Sequence, residues 1–463
     1  MTTPLYTLDA ILRATNGRPE GVAASQINSI SIDSRELGPD ALFVAIKGDR
    51  FDGHDFVDTA LANGAVAALV SRGEGAGLIH VEDALGGLRD LARAARDRSD
   101  ALFIGVTGSV GKTTTKEALR VVFEAAGETH ASIKSFNNHW GVPLMLARMP
   151  ETAQFGVFEM GMNAPDEIRP LSQLVRPHIA VITSIAPVHL EGLGSIEAIA
   201  RAKAEIFEGL EPGGTAVVNA DHPQLPILTE AAKAAGVANL VTFGFSSGAD
   251  WQIVEPETLA DSGTATVVHV ADRHALVLNL PGRHMLSNAT AALAVAHIAG
   301  LSAEVALRAL AGLTAQAGRG QRLSLGPAEK PLLVVNESYN ANPVAVTAAL
   351  SVFAAIEPPG GRKVVVLGDM LELGETSEAL HAGLADAVLA SGATRVHLVG
   401  PHMAALGANL PEAVVASRFD HVEDALDVIV GDLAYGDAVM IKGSNGVGLG
   451  RVVSAITAQF QQS

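Results

Sequence analysis

Short apolar runs alternate with polar turns from the start of the chain. Runs at 29–32, 41–46 and 65–70 are separated by turn clusters such as Lys47-Gly-Asp-Arg50 and Asp52-Gly-His54, which predicts a small α/β domain. After a charged helical stretch over 88–98 the pattern changes. An apolar strand at 101–106 runs into a glycine-rich turn, then a helix with Leu119, Val122, Phe123 and Ala126 on one side before Gly127. Further strands are expected at 155–158, 178–182 and 216–218, alternating with helical segments as in a parallel sheet covered on both faces. Period-two stretches at 264–270 and 276–280 predict an antiparallel insertion, followed by helices at 287–298 and 302–313 and a hinge at Gln316-Ala-Gly-Arg-Gly320. From about 331 the alternation restarts, with strands at 332–335, 363–367, 395–399 and 438–441. The expected fold class is α/β in three domains: a small N-terminal α/β domain (1–98), a central P-loop parallel-sheet domain (99–315) and a C-terminal Rossmann-like domain (316–463).

At roughly 150 residues per domain, 463 residues agree with that count. With 48% hydrophobic and 18% charged residues the chain is neither disordered nor fibrous. Lys plus Arg is 32 against 50 Asp plus Glu, and the net charge of −18 repels phosphate backbones and acidic lipid surfaces, so no nucleic-acid partner is expected. Having 0 Cys removes disulfides, thiolate metal sites and cysteine nucleophiles. The N-terminal residues lack a basic segment followed by an apolar one, and no uninterrupted apolar run reaches about 18 residues; a cytoplasmic protein without membrane insertion is expected.

The strongest chemical signal is Gly105-Val-Thr-Gly-Ser-Val-Gly-Lys-Thr-Thr114, placed between a strand and a helix, where backbone N–H groups and the helix dipole hold phosphates. Lys112 would reach the β- and γ-phosphates and Thr113 would ligate Mg²⁺. The generic G-x-x-x-x-G-K-[ST] pattern requires glycine at 106, where this chain has Val106. Glu159 and His189 each follow a strand, at the edge where parallel sheets bind ligands, and with the phosphate loop they become candidate metal ligands. Alone, Lys203 reads as an exposed helix lysine and Asn288 as a local cap. Asn336-Glu-Ser-Tyr-Asn-Ala-Asn-Pro343, Gly368-Asp-Met-Leu-Glu-Leu-Gly374 and Lys442-Gly-Ser-Asn-Gly-Val-Gly-Leu-Gly450 each read singly as an ordinary turn, but three polar loops at strand ends mark a binding face.

Taken together these segments resemble the Mur ligases, ATP-dependent amide-forming enzymes of peptidoglycan precursor synthesis, over the whole length. Thr107-Gly-Ser-Val-Gly-Lys-Thr-Thr114 is similar to that family's own phosphate loop, and Asn137-Asn138, Glu159, His189, Asn288 and Arg319 fall in the family's order. Phe136-Asn-Asn138 with Gly141-Val-Pro143, the 159–161 segment, Tyr339-Asn-Ala-Asn342 and the 367–374 loop look most like the subgroup that adds D-alanyl-D-alanine to UDP-N-acetylmuramoyl-tripeptide.

The resemblance implies roles. ATP would be held by Gly108, Ser109, Gly111, Lys112, Thr113, Thr114, Asn288, Arg319, Tyr339, Asn340 and Asn342. Mg²⁺ would be held by Thr113, Glu159, His189 and Lys203, with Lys203 carbamylated by CO₂. Lys112, Glu159, His189, Lys203 and Arg319 would be catalytic. Ser34, Arg35, Lys47, Asp52, His54, Asn137 and Asn138 would bind the UDP-linked substrate; Asp369, Lys442 and Ser444 would bind the dipeptide. A monomer is expected. The implied chemistry is phosphoryl transfer to a peptide carboxylate, then amine attack on the acyl phosphate, which needs no protein nucleophile. The rivals are a Mur-type ligase adding the third residue, a folylpolyglutamate synthase-like ligase and, from another class, a nucleotide-sensing regulatory ATPase.

Overall fold

A computed structural model describes residues 3–48, 50–188 and 190–461. His189 therefore lies outside the described residues. By density of contacts the chain forms two compact units: Met1–Thr183 with Ala200–Phe243 and Ala291–Ala306, and Ser184–Ile199 with Gly244–Thr290 and Leu307–Ser463.

The first unit holds a two-stranded antiparallel pair, Tyr6–Thr7 with Gln26–Ile27, and two larger sheets. The N-terminal one orders Arg18–Glu20, Leu78–His80, Ala65–Val70, Ala41–Val44 and Ser29–Ser31, parallel except for its first strand. Its helix Ala84–Asp97 starts where Asp83 accepts from the N–H groups of Leu85 (3.2 Å) and Gly86 (2.7 Å), satisfying donors the helix itself cannot. The second sheet runs Asn239–Gly244, Thr215–Asn219, Ile179–Ile182, Leu102–Thr107, Phe155–Glu159, Thr129–Ala131, all parallel. Central strands buried on both faces explain why 102–107 and 179–182 read as unbroken apolar runs.

In the second unit, Trp251–Thr258, Gly263–His269 and Asp272–Leu278 form the expected antiparallel insertion. The C-terminal sheet orders Gln321–Leu325, Leu332–Glu337, Ala438–Lys442, Lys363–Gly368, Arg395–Val399 and Val415–Phe419, parallel after its first antiparallel pair. Apolar layers pack both faces, Leu350, Phe353 and Leu398 on one and Ile429, Leu449 and Ile456 on the other.

The expected strands are present. Those not anticipated are Tyr6–Thr7, Arg18–Glu20, Gln26–Ile27, Leu78–His80, Thr129–Ala131, Asn239–Gly244, Gln321–Leu325 and Val415–Phe419. Gln321–Leu325 and Val415–Phe419 are sheet edges, with a half-exposed pattern that lacks the apolar run of a central strand. The helix expected from 287 begins at Arg283.

Candidate active site

The phosphate loop is built by two glycines in the left-handed half of backbone space, Gly108 (φ +150°) and Gly111 (φ +89°). Gly111 is the N-cap of the helix Lys112–Glu124 and no side chain caps that end. A helix N-terminus without a side-chain cap is an arrangement that attracts anions. The glycine at 105 has another purpose: it is a strand residue, and a Cβ there would lie 3.2 Å from Met160 and 3.3 Å from Ile206. Lys112 Nζ donates to the Gly108 carbonyl at 2.7 Å, folding the side chain back over the loop.

Behind the loop Glu159 ends its strand with 2% of its surface exposed. Its two carboxylate oxygens are held separately: Thr113 Oγ1 donates to Oε2 (2.8 Å) and Asn137 Nδ2 to Oε1 (2.8 Å). Its backbone N–H donates to Ser132 Oγ (3.3 Å), and the buried Lys116 donates to the Ser132 carbonyl (2.7 Å). Asn137 is fixed in turn, its carbonyl accepting from Gly161 N–H at 2.8 Å, with room because a Cβ at Gly161 would sit 2.9 Å from the amide carbon. A hydroxyl and a carboxylate side by side are the hard oxygen donors Mg²⁺ takes. Among the described residues no three His, Asp or Glu side chains cluster as a metal site; His189 lies outside them, and Thr113 and Glu159 supply the oxygen donors placed here.

Lys203 is the clearest departure from its local pattern. It is not an exposed helix lysine: 1% of its surface is accessible. Burial, reinforced by the positive Lys112, lowers its pKa well below the usual lysine value, favouring the uncharged amine. Uncharged amines react with CO₂, so the site fits the carbamate that the family resemblance implies.

In the N-terminal part of the first unit, a cavity of about 840 Å³ is lined by Asp33, Ser34, Arg35, Phe43, Ile46, Arg50, Phe51, Phe56 and Trp140, among others. Phe51 is 72% exposed and meets Phe56 edge-on at 6.4 Å, an uncovered aromatic pair. Arg35 donates to both oxygens of Asp33 (2.9 and 2.7 Å), which holds that carboxyl down at about 2. Ser34 and Arg35 therefore line this cavity, while Lys47, Asp52 and His54 do not. Asp52 caps the turn Gly53–Phe56 and accepts from His54 Nδ1 (2.6 Å); the hydrogen bond from the His54 backbone N–H, foremost, holds the Asp52 carboxyl far below the usual range. Ser71 N–H donates to His54 Nε2 (3.0 Å), so both ring nitrogens are satisfied within the fold. Asn138 accepts from Trp140 and Gly141 N–H, capping the helix Gly141–Ala147. Phe51, Phe56, Arg50 and Ser132 had no motif to announce them, although two phenylalanines flanking one turn stand out in a chain that is 4% aromatic.

In the second unit the hinge and the Tyr339 loop are stitched together. Tyr339 N–H donates to the Gly318 carbonyl (3.1 Å), Gly320 N–H to the Asn336 carbonyl (3.1 Å), and the Arg319 guanidinium lies 4.2 Å above the Tyr339 ring. Asn342 accepts from Ala345 N–H (2.9 Å) and caps the helix Pro343–Ala354; Asn340 accepts from Ala341 N–H (2.9 Å). Asn288 is buried in the helix Arg283–Ile298. At the edge of the C-terminal sheet, Lys442 donates to Glu337 (3.2 Å) and the Asn340 carbonyl (3.0 Å). Ser444 N–H donates to the Asp369 carbonyl (3.0 Å), and Ser444 Oγ accepts from Leu371 N–H (3.0 Å). The Asp369 carboxylate accepts from Met403 N–H (3.0 Å) and His402 N–H (3.4 Å), and burial raises its pKa. The sequence predicted Asp369, Lys442 and Ser444 as one group, and the three polar loops do converge; the three side chains bond mainly to neighbouring backbone groups and to Glu337.

Comparison with known proteins agrees with this geometry. Family models match residues 26–85 (Mur ligase family, catalytic domain), 106–296 (Mur ligase middle domain) and 318–445 (Mur ligase, glutamate ligase domain). The UDP-N-acetylmuramoyl-tripeptide–D-alanyl-D-alanine ligase of Rickettsia prowazekii is 33% identical over 432 residues, covering 92% of this chain and 94% of the relative. The structure is similar to MurF from Acinetobacter baumannii, with a TM-score of 0.85 at 30% identity over 98% of this chain and 99% of the other. It is also similar to MurF ligase from Thermotoga maritima in complex with ADP (TM-score 0.78, 27% identity, 94% and 98% coverage). An α/β chain with an N-terminal, a middle and a C-terminal segment each matched in order, it belongs to the Mur ligase family.

Proposed function

We propose that this chain transfers the γ-phosphoryl group of ATP to the terminal carboxylate of UDP-N-acetylmuramoyl-tripeptide and then joins that acyl group to the amine of D-alanyl-D-alanine. It is an ATP-dependent ligase of peptidoglycan synthesis. The observation that carries the mechanism is the uncapped helix end at Gly111, with Lys112 folded over the loop and Thr113 bonded to a buried Glu159.

The loop's N–H groups and Lys112 bind the ATP phosphates and stabilise the charge that builds as the phosphoryl group leaves ADP. Thr113 and Glu159, with His189 and a carbamylated Lys203, would hold Mg²⁺, which when bound offsets the repulsion between carboxylate and phosphate. Asn137 belongs with this group as the residue that aims Glu159. The carboxylate oxygen attacks phosphorus and ADP departs. The dipeptide amine adds to the acyl carbon, a proton is lost, and the tetrahedral adduct expels inorganic phosphate. Ser34, Arg35 and the aromatic lining of the 840 Å³ cavity suit a base and its diphosphate, the ring stacking and the guanidinium pairing. Arg319 and Tyr339 offer a cation and an aromatic face to the nucleotide; Lys442 and Ser444 face the dipeptide. The division at 98 and 315, a monomeric state and a cytoplasmic location complete the proposal; among the described residues no helix is long and apolar enough to cross a membrane.

Phosphate release from purified protein tests this. Release should require ATP, the UDP-linked tripeptide and D-alanyl-D-alanine together; turnover of ATP at the same rate without either acceptor would instead mean a regulatory ATPase.

A further inference from the structure

One buried group takes no part in the chemistry above. His381 is completely buried, and its ring joins the two ends of the polar loop that follows the strand Lys363–Gly368. Met370 N–H donates to Nε2 at 3.0 Å, so that nitrogen is bare, and Nδ1–H donates to the Ser377 carbonyl at 2.7 Å. This assignment requires the neutral ring, and burial lowers the His381 pKa in the same direction. The ring is stacked 5.6 Å from His402, whose N–H donates to Asp369.

The loop held in this way has contacts on two sides. On one, Leu371 N–H donates to Ser444, next to Lys442, at the edge that faces the dipeptide. On the other, the Glu372 carbonyl accepts from Glu191 N–H (3.5 Å), and a Cβ at Gly374 would lie 3.4 Å from the Glu191 Cα. Glu191 belongs to the short helix Leu190–Leu193, directly after His189. Between these contacts Glu372 holds a left-handed backbone (φ +64°), a conformation a glutamate does not choose unaided.

We propose that His381 is a positioning residue for amide formation: its neutral ring fixes the 370–377 loop in the one shape that touches both the dipeptide-binding edge and the 190–193 segment. Resting on the ligase function above, the proposal concerns the amine half-reaction. ATP and the UDP-linked substrate meet the phosphate loop and the N-terminal cavity, which this loop does not line.

Kinetics of His381→Ala, His381→Gln and Gly374→Val against the unaltered protein test it. Removing the ring leaves the Met370 N–H and the Ser377 carbonyl without this partner, so His381→Ala should raise the KM for D-alanyl-D-alanine about tenfold or more. The KM values for ATP and the UDP-linked tripeptide should stay within about twofold, because a factor of two is near the scatter between independent sites. Glutamine, with one acceptor and one donor, should recover part of the loss. Gly374→Val, which crowds Glu191 and strains a φ of +57°, should reproduce the rise in the amine KM with His381 intact. An unchanged amine KM in the folded variants, or equal changes in all three KM values, overturns the proposal; if His381→Ala does not fold, Gly374→Val decides. Failure of the unaltered protein to use the dipeptide would refute the ligase assignment instead.

Discussion

The two sheets that carry the candidate residues use the carboxyl ends of their strands in opposite ways. In the phosphate-loop sheet, polar groups are buried or stand at an open helix end. The helix after Gly111 has no side-chain cap, Glu159 is buried, and Lys203 is desolvated beside the positive Lys112. At the C-terminal sheet edge the corresponding groups are spent internally: Asp369 caps a helix, His381 staples a loop and Lys442 pairs with Glu337. Uncompensated polar groups cost stability and are retained where they do chemistry; compensated ones shape a surface. On the proposed function, the first edge reacts and the second recognises.

The largest effect expected from that contrast is at Lys112. Lys112→Ala should lower kcat/KM by on the order of 10³ with unchanged circular dichroism, since a cation aimed at developing charge is lost. Substantial residual turnover would remove the first edge's claim to the chemistry. Lys203→Met should also abolish turnover, yet leave the urea midpoint equal or higher, because an apolar side chain of similar length replaces a buried amine. A clear loss of stability would mean that Lys203 is structural.

The opposite signature is expected across the sheet edge. Asp369→Ala should cost about 1–3 kcal/mol of unfolding free energy, the helix N–H groups of Met403 and His402 losing their acceptor, with a smaller effect on ATP binding than on stability. The smallest effect concerns pH. His130, in the edge strand Thr129–Ala131 of the phosphate-loop sheet, donates to the Met145 carbonyl (2.7 Å), and burial lowers its pKa from 6.5 to about 4. The unfolded chain therefore binds a proton that the folded one refuses, so this group's stabilisation is complete above about 6.5 and lost as pH falls toward about 4. Urea midpoints measured from pH 7 to 4.5 should fall less steeply for His130→Asn than for the unaltered protein.

Much of the fold was legible because its central strands are buried on both faces, so 102–107, 179–182 and 438–442 announce themselves as apolar runs between turns. Strands such as 321–325 and 415–419 were not, since at an edge half the side chains meet water and the period blurs. In the site, the phosphate loop was legible because backbone geometry demands glycine at 108 and 111. Burial was not: Lys203 sits on an ordinary-looking helix, and only the layers packed around it make its amine unusual. The His54 ring nitrogens and the Asn138 side-chain oxygen also make local hydrogen bonds that spacing does not reveal. His381 lies seven residues past the Gly368–Gly374 loop, and no periodicity connects a ring to a backbone N–H folded back onto it.

The central claim is that the acceptor's carboxylate is phosphorylated before the amine arrives, and the most direct measurement is isotopic. With ¹⁸O in the tripeptide's terminal carboxylate, ATP and D-alanyl-D-alanine, the released phosphate should carry one ¹⁸O atom per amide bond formed, because the carboxyl C–O bond breaks when the amine displaces phosphate. Phosphate free of label, with amide formed at the normal rate, would contradict the account.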